Sequence, residues 1–296
     1  MSSGTGAGYA LIVDKKAQRL HLYGYNGQSY QQLEQFDCST GKNPGPKIQS
    51  GDRKTPEGIY FFTERFNKKY LTPIYGTRAF PMDYPNSFDR FSKRRGYAIW
   101  MHGTNKALRP YNTNGCIALR NQDIDHLDRY IALKSTPVII VDALEYLPAG
   151  SNDATKRAVI DFISRWNNAL SACDLNTYLA CYRSEDDDRM SWWEKWLESR
   201  KSSYGLSQMK TGMNQVSIFA YKQTFVVVFE QNLKCVGVTF PVGRKKMFLM
   251  QKTGGFEIVG EEYLSLVDDF PVPETGMPLI TACRYLMERC NQGPMP

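Results

Sequence analysis

A histidine and a cysteine are the residues of this sequence best suited to covalent chemistry. His102 ends an apolar run that begins at Ile99, and Cys116 directly follows Gly115 further along the chain. The thiolate form of cysteine is a nucleophile, and a nearby imidazole lowers the thiol pKa or accepts the thiol proton. The residue types fit a thiol activated by an imidazole, but a histidine and a cysteine at strand ends often occur together by chance, and the pair alone favours structural roles.

Both residues fall in a half of the chain that is rich in predicted strands. Short apolar or alternating runs separated by turn residues are typical of β-strands. A helix is predicted at about residues 121–131, with Asn121 as its N-cap. We therefore expect His102 at the end of a strand and Cys116 in the connection before this helix. The predicted strands are Tyr9–Val13, Arg19–Tyr23, Gly58–Thr63, Tyr97–His102 and Pro137–Asp142.

The positive charge of the chain is confined to its first half. The formal net charge is +7, and residues 1–150 hold 20 Lys and Arg against 13 Asp and Glu, whereas residues 151–296 hold 17 of each. The basic residues are scattered among aromatic, glycine and proline residues, which argues against a nucleic-acid-binding module. Some lie in a long irregular segment between Glu64 and Gly96, which we interpret as a binding loop or lid because such segments are seldom plain connections.

Length and composition place the chain among ordinary globular proteins. It has 296 residues, of which 42% are hydrophobic and 23% charged, so two domains are expected, each with a full core. The densest apolar run, Phe225–Phe229, is far too short to cross a membrane, and no membrane span is expected. Seven cysteines without a CxxC pair and three dispersed histidines predict no metal site, and we expect no cofactor.

The second half of the chain has a different pattern, which begins after a linker at residues 147–153. Apolar residues with helical spacing run from Val159 to Leu170, Asp174 is a suitable cap for a short helix, and tryptophans at residues 192–196 indicate a third helix. Helices followed by an antiparallel meander predict an α+β domain. The predicted strands are Val216–Tyr221, Thr224–Glu230, Lys234–Pro241, Lys246–Gln251 and Phe256–Val259, and a last helix is expected at Leu279–Cys290.

Five short blocks surround the histidine and the cysteine in a fixed order. They are Val13-Asp14 with Arg19–Tyr23, Ser39–Asn43, Gly51–Gly58, His102-Gly103 and Gly115–Ile117. Together they closely resemble the L,D-transpeptidase (YkuD-type) catalytic domain, a β-sandwich cysteine enzyme of bacterial peptidoglycan, over about residues 8–145. The third block is then similar to a turn that leads into a core strand and is shaped by Asp52 and Thr55. The resemblance favours a functional histidine and cysteine over two structural residues.

The resemblance implies a role for each residue of the site. Cys116 would be the nucleophile that attacks the carbonyl between a diamino acid and a terminal D-alanine, and His102 would be its base. The backbone carbonyl of Gly103 would orient the imidazole, as a third residue does in catalytic triads. Backbone N–H groups of Gly115 and Cys116 would form the oxyanion hole. The acyl-enzyme would then pass to an amine (transpeptidation) or to water (carboxypeptidation).

Two positions depart from the usual pattern of this family. The family usually has a second histidine two positions before the cysteine and often an arginine two positions after it, where this sequence has Asn114 and Ala118. Neither position is the nucleophile or the base, so the acylation chemistry is retained, but substrate orientation must depend on other residues. Arginine is suited to bidentate recognition of a carboxylate. The candidates for substrate binding are Asn114, Arg109 and Arg120 near the motif and Arg78 and Arg90 in the long segment.

The second half is similar to the nuclear-transport-factor-2-like (SnoaL-like) cone in its order of helices and sheet, without a diagnostic motif. A YkuD-type domain followed by such a cone resembles the cell-shape L,D-carboxypeptidases of helical bacteria, which trim tetrapeptide stems to tripeptides. The expected fold is a mainly β catalytic domain, a β-sandwich, plus an α+β cone-like second domain. The predicted segments are a leader or linker at 1–8, the catalytic domain at 9–146, a linker at 147–153, the second domain at 154–265 and an extension at 266–296.

The resemblance implies an enzyme of the periplasm or cell envelope that acts on peptidoglycan stem peptides, with a possible envelope ligand in the second domain. An alternative is a catalytically silent module that binds the envelope, which Asn114, Ala118 and the additional domain favour. A nucleic-acid binder would depend on the net charge alone. The sequence leaves open whether the acceptor is water or an amine, how the cysteines pair and whether the chain forms oligomers.

Overall fold

The computed structural model describes residues 8–148, 150–183, 187–201, 209–235, 238–266 and 277–291. The chain divides into two compact units: residues up to 148 together with residues 219–222 form the first unit, and the remaining residues form the second. Most of the predicted leader and parts of the predicted extension lie outside the described residues. None of the described helices has the length and the hydropathy that crossing a membrane requires.

The described part of the first unit consists of two β-sheets and two short α-helices. In chain order they are β1 (Tyr9–Asp14), β2 (Arg19–Tyr25), β3 (Tyr30–Asp37), β4 (Gly58–Phe61), β5 (Phe66–Asn67), β6 (Arg78–Pro81), α1 (Ser87–Phe91), β7 (Trp100–Thr104), β8 (Ile117–Arg120), α2 (Asn121–Leu127) and β9 (Pro137–Val141). One sheet has the order β3-β2-β1-β9-β4, and the other has the order β5-β6-β7-β8. Strands β1 and β9 pair in parallel, as do β7 and β8, and the remaining neighbours are antiparallel.

Both sheets and α2 contribute side chains to one buried apolar core. Leu11 and Leu22 come from the first sheet, Met101 and Ile117 from the second, and Ile124 from α2. Burial of apolar surface contributes about 25 cal/mol per Å² and is the main stabilising term for such a core. The two sheets therefore share one hydrophobic interior, and the prediction of a mainly β first domain is confirmed.

Several strands differ from the sequence prediction. The run predicted at Tyr97–His102 is shifted, because β7 begins at Trp100 and continues beyond His102. Ala98 has a φ of 54°, a left-handed conformation outside the β region, so the strand begins after it. Strands β3, β5, β6 and β8 are missing from the prediction. The side chains of β3 are exposed or half-buried without an apolar alternation, and the other three strands have four residues or fewer. His102 therefore lies inside a strand and not at its end.

The helix predicted at residues 121–131 is shorter in the structure, where α2 ends at Leu127 and a 3₁₀ turn follows. The N-cap of α2 is Arg120, and Asn121 is the first helical residue. The side chain of Asn121 is engaged outside the helix, where its Oδ1 accepts a hydrogen bond from the backbone N–H of Thr77 at 3.1 Å. The prediction of Asn121 as the N-cap is therefore wrong.

The second half of the chain combines α-helices with a four-stranded sheet of the order β10-β11-β12-β13. The described elements are α3 (Asp153–Ala172), α4 (Leu175–Leu179), α5 (Asp187–Lys201), β10 (Lys210–Tyr221), β11 (Thr224–Cys235), β12 (Val238–Lys252), β13 (Gly255–Leu266) and α6 (Pro278–Asn291). Asp174 caps α4 as predicted, because its Oδ1 accepts a hydrogen bond from the backbone N–H of Thr177 at 3.0 Å. The predicted α+β second domain is confirmed, and its similarity to the nuclear-transport-factor-2-like cone stays a prediction.

Strand β12 is a single long strand, whereas the sequence predicts two separate strands in this region. The predicted strands were Lys234–Pro241 and Lys246–Gln251, but β12 continues through the residues between them. Its ladder with β13 contains two register shifts, and Lys245 and Lys246 are both buried. Buried lysines interrupt the apolar pattern that identifies a strand, which explains the wrong boundary.

Candidate active site

The imidazole of His102 is held within β7 by a backbone carbonyl. Its Nδ1 lies 2.6 Å from the carbonyl oxygen of Gly103. Because a carbonyl oxygen only accepts hydrogen bonds, Nδ1 carries the proton and the lone pair of Nε2 is left to accept one. Ala79 of β6 and Ala118 of β8 lie opposite His102 in the sheet. These small neighbours leave space on the face that carries the ring, and the arrangement suits a general base.

Burial controls the protonation of His102. Removal of the side chain from water lowers the pKa of His102, and the hydrogen bond to Gly103 acts in the opposite direction. An unperturbed histidine has a pKa of about 6.5. The ring is therefore neutral at neutral pH, which is the form that accepts a proton from a nucleophile.

Cys116 lies immediately before β8 and is partly exposed. Its Sγ donates to the carbonyl oxygen of Ala98 at 3.6 Å. Burial raises the pKa of the Cys116 thiol, whereas a hydrogen bond at the backbone of Trp100 and the positive charge of Lys47 lower it. The net effect keeps the thiol protonated at rest, so a nucleophilic role requires a base to remove its proton.

Two threonines fix the backbone that carries the thiol. The Oγ1 of Thr55 donates to the carbonyl oxygen of Gly115 at 2.9 Å, and the Oγ1 of Thr113 donates to that of Cys116 at 2.7 Å. Gly115 has a φ of 134°, and a Cβ there would lie 2.9 Å from the carbonyl oxygen of Lys54, so the position requires glycine. The N–H of Gly115 donates to Thr113 Oγ1 at 3.1 Å. Of the two predicted oxyanion donors, the one on Gly115 is therefore engaged within the loop.

Lys47 and Asp52 form a buried ion pair near the thiol, with 2.7 Å between Lys47 Nζ and Asp52 Oδ1. Burial acts to raise the pKa of Asp52, but hydrogen bonds from Lys47 and from backbone N–H groups, including those of Ile48 and Gln49, lower it to about 2. The ionised carboxylate holds the ammonium group in place, and the charge of Lys47 favours the thiolate form of Cys116. Sequence reasoning identified Asp52 as a turn residue but missed Lys47, because a glycine- and proline-rich stretch gives no signal that a lysine is buried.

His102 and Cys116 line the same cleft, which has a volume of about 390 Å³. Among the described residues that line it are three cations, Lys42, Lys106 and Arg109, and no Asp or Glu. A cleft lined by cations attracts carboxylates and other anions. Sequence reasoning missed Lys42, although it lies inside one of the matching blocks, and it also missed Lys106. The lining further includes Tyr75, Asn114 and Ala118.

Three of the four predicted arginines contact neighbouring elements and do not line the cleft. Carboxylate or carbonyl oxygens accept hydrogen bonds from their guanidinium groups. The contacts are Arg78 with Asp125 (3.2 Å) and Asp128 (2.7 Å), Arg120 with Asp37 (2.7 Å), and Arg90 with the carbonyl oxygen of Pro85 (2.6 Å). Of the predicted substrate-binding residues, the structure brings Arg109 and Asn114 into the cleft that contains Cys116 and His102.

The remaining cysteines and acidic groups of the described residues form no metal centre. Among the described residues, free thiols are present at Cys38, Cys116, Cys173, Cys181 and Cys283. Within the described ranges, no group of three or more His, Cys, Asp or Glu side chains is placed to hold a metal ion. Of the free thiols, Cys116 lines the cleft together with His102.

The first unit is similar to a known family of catalytic domains. The family model of the L,D-transpeptidase catalytic domain (YkuD) matches residues 8–140, which confirms the resemblance indicated by the five sequence blocks. Over 127 residues the chain is 30% identical to YafK of Escherichia coli (strain K12), an alignment that covers 43% of this chain and 48% of YafK. YafK of Escherichia coli O157:H7 matches with the same figures. The chain thus spans about half the length of the curated relatives it matches.

Two solved structures resemble most of the chain. The structure of Bd1075 from Bdellovibrio bacteriovorus has a TM-score of 0.73 and 25% identity, and the match covers 88% of this chain and 94% of that chain. The helical cell shape determining protein Pgp2 from Campylobacter jejuni has a TM-score of 0.65 and 24% identity, with 86% and 91% covered. The likeness in fold to both proteins therefore extends well beyond the segment that matches the family model.

Proposed function

We propose that the protein is a peptidoglycan-modifying cysteine enzyme of the L,D-transpeptidase family that acts in the periplasm or cell envelope. Cys116 forms an acyl-enzyme at the bond between the diamino acid and D-alanine of tetrapeptide stems and passes the acyl group to water or to an amine. One observation carries the proposal: Cys116 and an imidazole held by Gly103 line a single cationic cleft. This cleft lies in the segment that matches the L,D-transpeptidase catalytic domain.

Acylation begins with transfer of the Cys116 thiol proton to Nε2 of His102. The resulting thiolate attacks the carbonyl carbon of the scissile amide, and the carbonyl oxygen becomes an oxyanion that backbone N–H groups stabilise. When the tetrahedral intermediate collapses, the C–N bond breaks and the proton on Nε2 passes to the nitrogen of the departing D-alanine. A thioester between Cys116 and the diamino acid remains.

Deacylation repeats these steps with a different nucleophile. His102 removes a proton from water or from an acceptor amine, which attacks the thioester carbonyl, and the sulfur of Cys116 leaves and is reprotonated. Water gives a tripeptide stem, and an amine gives a cross-link. The protonated resting thiol and the neutral imidazole support this order, because the proton then moves during the reaction and not before substrate binds.

The cleft cations support an anionic substrate. Peptidoglycan stems carry several carboxylates, and the ammonium groups of Lys42 and Lys106 and the guanidinium group of Arg109 line the cleft beside the thiol. Hydrogen bonds between charged groups are shorter and stronger than neutral ones. We therefore assign these three side chains to substrate binding, together with Asn114.

The likeness to Pgp2 supports a role in cell shape. Pgp2 is a helical cell shape determining protein, and its fold covers 86% of this chain. Ala118 takes the position at which the L,D-transpeptidase family often has an arginine, and it lies opposite His102 in the sheet. A small apolar residue there removes a cation from beside the base. We propose that the enzyme trims or cross-links stem peptides and thereby alters the shape of the cell.

The second unit is proposed to bind an envelope ligand. The ammonium group of Lys245 is buried and lies 5.1 Å from the ring of Trp166, 5.0 Å from the ring of Tyr263 and 2.9 Å from the carboxylate of Glu261. The side-chain amide of Asn232 is also buried and has no hydrogen-bond partner among the described residues. Buried polar groups of this kind are suited to a polar ligand. Weaker binding of the Lys245→Met chain to isolated sacculi is expected, and equal binding would contradict this assignment.

The proposed reaction is tested with a defined disaccharide-tetrapeptide muropeptide, with and without an amine acceptor. Chromatography and mass spectrometry are expected to show a tripeptide product, a 3–3 cross-linked product, or both. Cys116→Ser should form neither. Cys173→Ser is the matched control, since Cys173 is also a partly exposed free thiol but does not line the cleft. The proposal fails if neither product appears with the unmodified chain.

The alternative is a catalytically silent envelope-binding module, which Asn114 and Ala118 favour because they replace the usual histidine and arginine of the family. Alkylation of Cys116 by iodoacetamide distinguishes the two functions. An active site predicts a rate that depends on His102, and a silent module predicts the rate of an ordinary thiol that is unchanged in His102→Gln.

A further inference from the structure

An aromatic ring packs against the imidazole that acts as the base. Tyr75 lies in a 3₁₀ turn, Pro73–Tyr75, and its ring meets His102 edge to face, with 5.0 Å between ring centroids and an angle of 87°. The same ring lies 5.0 Å from the centroid of Trp100. Trp100 and His102 are two residues apart on β7 and therefore point to the same face. Tyr75 thus covers the surface of β7 that presents His102.

Three hydrogen bonds hold this turn against β7. Asn105 donates through Nδ2 to the carbonyl oxygen of Pro73 at 2.8 Å and accepts at Oδ1 from Nδ2 of Asn121 at 2.8 Å. Asn121 in turn accepts at Oδ1 from the backbone N–H of Thr77 at 3.1 Å. The two amides therefore connect both ends of the turn, through Pro73 and Thr77, to the end of β7 and the start of α2. We call Asn105 and Asn121 the amide clasp.

Close backbone packing adds to the amide clasp. Gly76 has a φ of 67°, and a Cβ there would collide with Oδ1 of Asn121 and would lie 2.6 Å from the carbonyl carbon of Gly103. Gly103 is the residue whose carbonyl oxygen receives the hydrogen bond of the His102 imidazole. The turn that carries Tyr75 therefore touches the same peptide group that orients His102.

We propose that Tyr75 is a positioning residue for His102, held in place by the amide clasp. The inference rests on the proposed function, because it takes His102 as the base. A single hydrogen bond at Nδ1 leaves the imidazole free to tilt about that contact, and the packing of the Tyr75 ring against it removes this freedom. Nε2 then stays directed into the cleft that Cys116 lines. An error of about 1 Å in the placing of a reacting group can lower the rate by about a hundredfold.

The titratable groups around His102 are few. Those that line the cleft beside it are Tyr75, Cys116 and the cations Lys42, Lys106 and Arg109. On β6, which pairs with β7, the charged residue is Arg78, whose guanidinium group is neutralised by two aspartates near α2. Burial raises the pKa of Tyr75, and the negative charge of a Cys116 thiolate acts in the same direction.

The test compares Tyr75→Ala with Tyr70→Ala, the same change five residues earlier in a side chain that is 71% exposed. The value of kcat/KM for the tetrapeptide muropeptide and the rate of Cys116 alkylation are measured as functions of pH. Tyr75→Ala is expected to lower kcat/KM by about ten- to a hundredfold. It should also move the acid limb of both profiles to higher pH, because removal of the ring exposes His102 to water and thereby relieves the burial that lowers its pKa.

Two further variants separate positioning from folding. Tyr75→Phe keeps the ring and should restore the acid limb of the unmodified chain. Asn105→Ala changes an exposed residue of the amide clasp and should shift the limb in the same direction as Tyr75→Ala, by a smaller amount. A general loss of folded protein would lower the rate at every pH without moving the limb.

These measurements distinguish failure of the positioning role of Tyr75 from failure of the proposed function. A Cys116 thiol that alkylates like a free cysteine in the unmodified chain would overturn the proposed function and the inference together. If the unmodified chain shows an acid limb that lies at the same pH in Tyr75→Ala and in Tyr70→Ala, that result would overturn only the positioning role of Tyr75. An equal shift in Tyr75→Phe and Tyr75→Ala would also overturn it, because the effect would then belong to the hydroxyl and not to the ring.

Discussion

The cleft and the outer surface around α2 are both rich in basic residues, but only the basic residues on the outer surface have carboxylate partners among the described residues. In the cleft, the side chains of Lys42, Lys106 and Arg109 have no carboxylate partner among the described residues. On the outer surface, Arg78 lies between two aspartates, and Arg120 pairs with Asp37 at 2.7 Å. The first group is available to bind an anion, whereas the second is neutralised by the fold.

The difference shows that net charge alone does not identify a binding surface. The first half of the chain carries the whole formal charge of +7, yet a large share of its arginines is compensated locally. Exposed ion pairs contribute little to stability, typically about 0–1 kcal/mol each. What distinguishes the cleft is therefore the lack of acidic residues among the described residues that line it.

The largest difference is expected for cysteine. Cys116→Ser should lower kcat/KM by at least about a thousandfold, because a serine hydroxyl beside a single imidazole is a far weaker nucleophile than a thiolate. Cys173→Ser should leave the rate unchanged. Product formation from the tetrapeptide muropeptide measures both. Equal activity of the two variants would remove the distinction between the cleft thiol and the other thiols.

The next difference concerns ion pairs and stability. Lys47→Met removes the cationic partner of the partly buried Asp52 carboxylate, which keeps its backbone hydrogen bonds, and should lower the free energy of unfolding by about 1.5–3 kcal/mol. Arg120→Met breaks a half-exposed pair with Asp37 and should cost about 0–1 kcal/mol. Urea denaturation of both variants measures the two values. Equal destabilisation would show that the ion pair near the thiol contributes no more to stability than one on the surface.

A smaller effect is expected for the cleft cations. Arg109→Gln should raise KM for the tetrapeptide muropeptide about tenfold, which corresponds to the loss of one charge-assisted hydrogen bond. Lys42→Gln and Lys106→Gln should act in the same direction. Arg120→Gln is the control and should leave KM unchanged, because Asp37 already occupies its guanidinium group. An equal rise in KM for Arg120→Gln and Arg109→Gln would show that the cleft arginine is no more important for substrate binding than the paired surface arginine.

The smallest effect is expected in the pH dependence of the unmodified chain. Burial lowers the pKa of His102, and the base is active only when neutral, so activity should persist as the pH falls below the range of an exposed histidine. The acid limb of kcat/KM should therefore lie below about pH 6.5. A limb at or above this value would mean that the imidazole is solvated in the working enzyme.

Sequence reasoning identified the chemistry of the site better than its supporting residues. His102 and Cys116 could be selected because their side chains are reactive and the blocks around them are short and ordered. Lys42 and Lys106 could not be separated from Arg78 and Arg120, because ion pairing depends on residues that are distant in sequence. Tyr75 could not be found either, since its contact with His102 depends on the path of an irregular segment.

The strands and helices were also predictable only where the local sequence pattern is clear. Strands with a clear apolar pattern, such as β1 and β9, were predicted nearly to the residue. Strand β3 has mostly exposed or half-buried side chains, and β12 contains buried Lys245 and Lys246, so neither shows the expected pattern along its length. Patterning is informative only where one face is buried and apolar. The N-cap at Arg120 was missed because the amide of Asn121 serves the amide clasp instead.

Release of D-alanine from a tetrapeptide muropeptide is the most direct test of the central claim. Each acylation of Cys116 expels one D-alanine whether water or an amine follows, so the measurement does not depend on the acceptor. The account predicts that the unmodified chain releases D-alanine and that Cys116→Ser does not. No release by the unmodified chain, or equal release by Cys116→Ser, would contradict it.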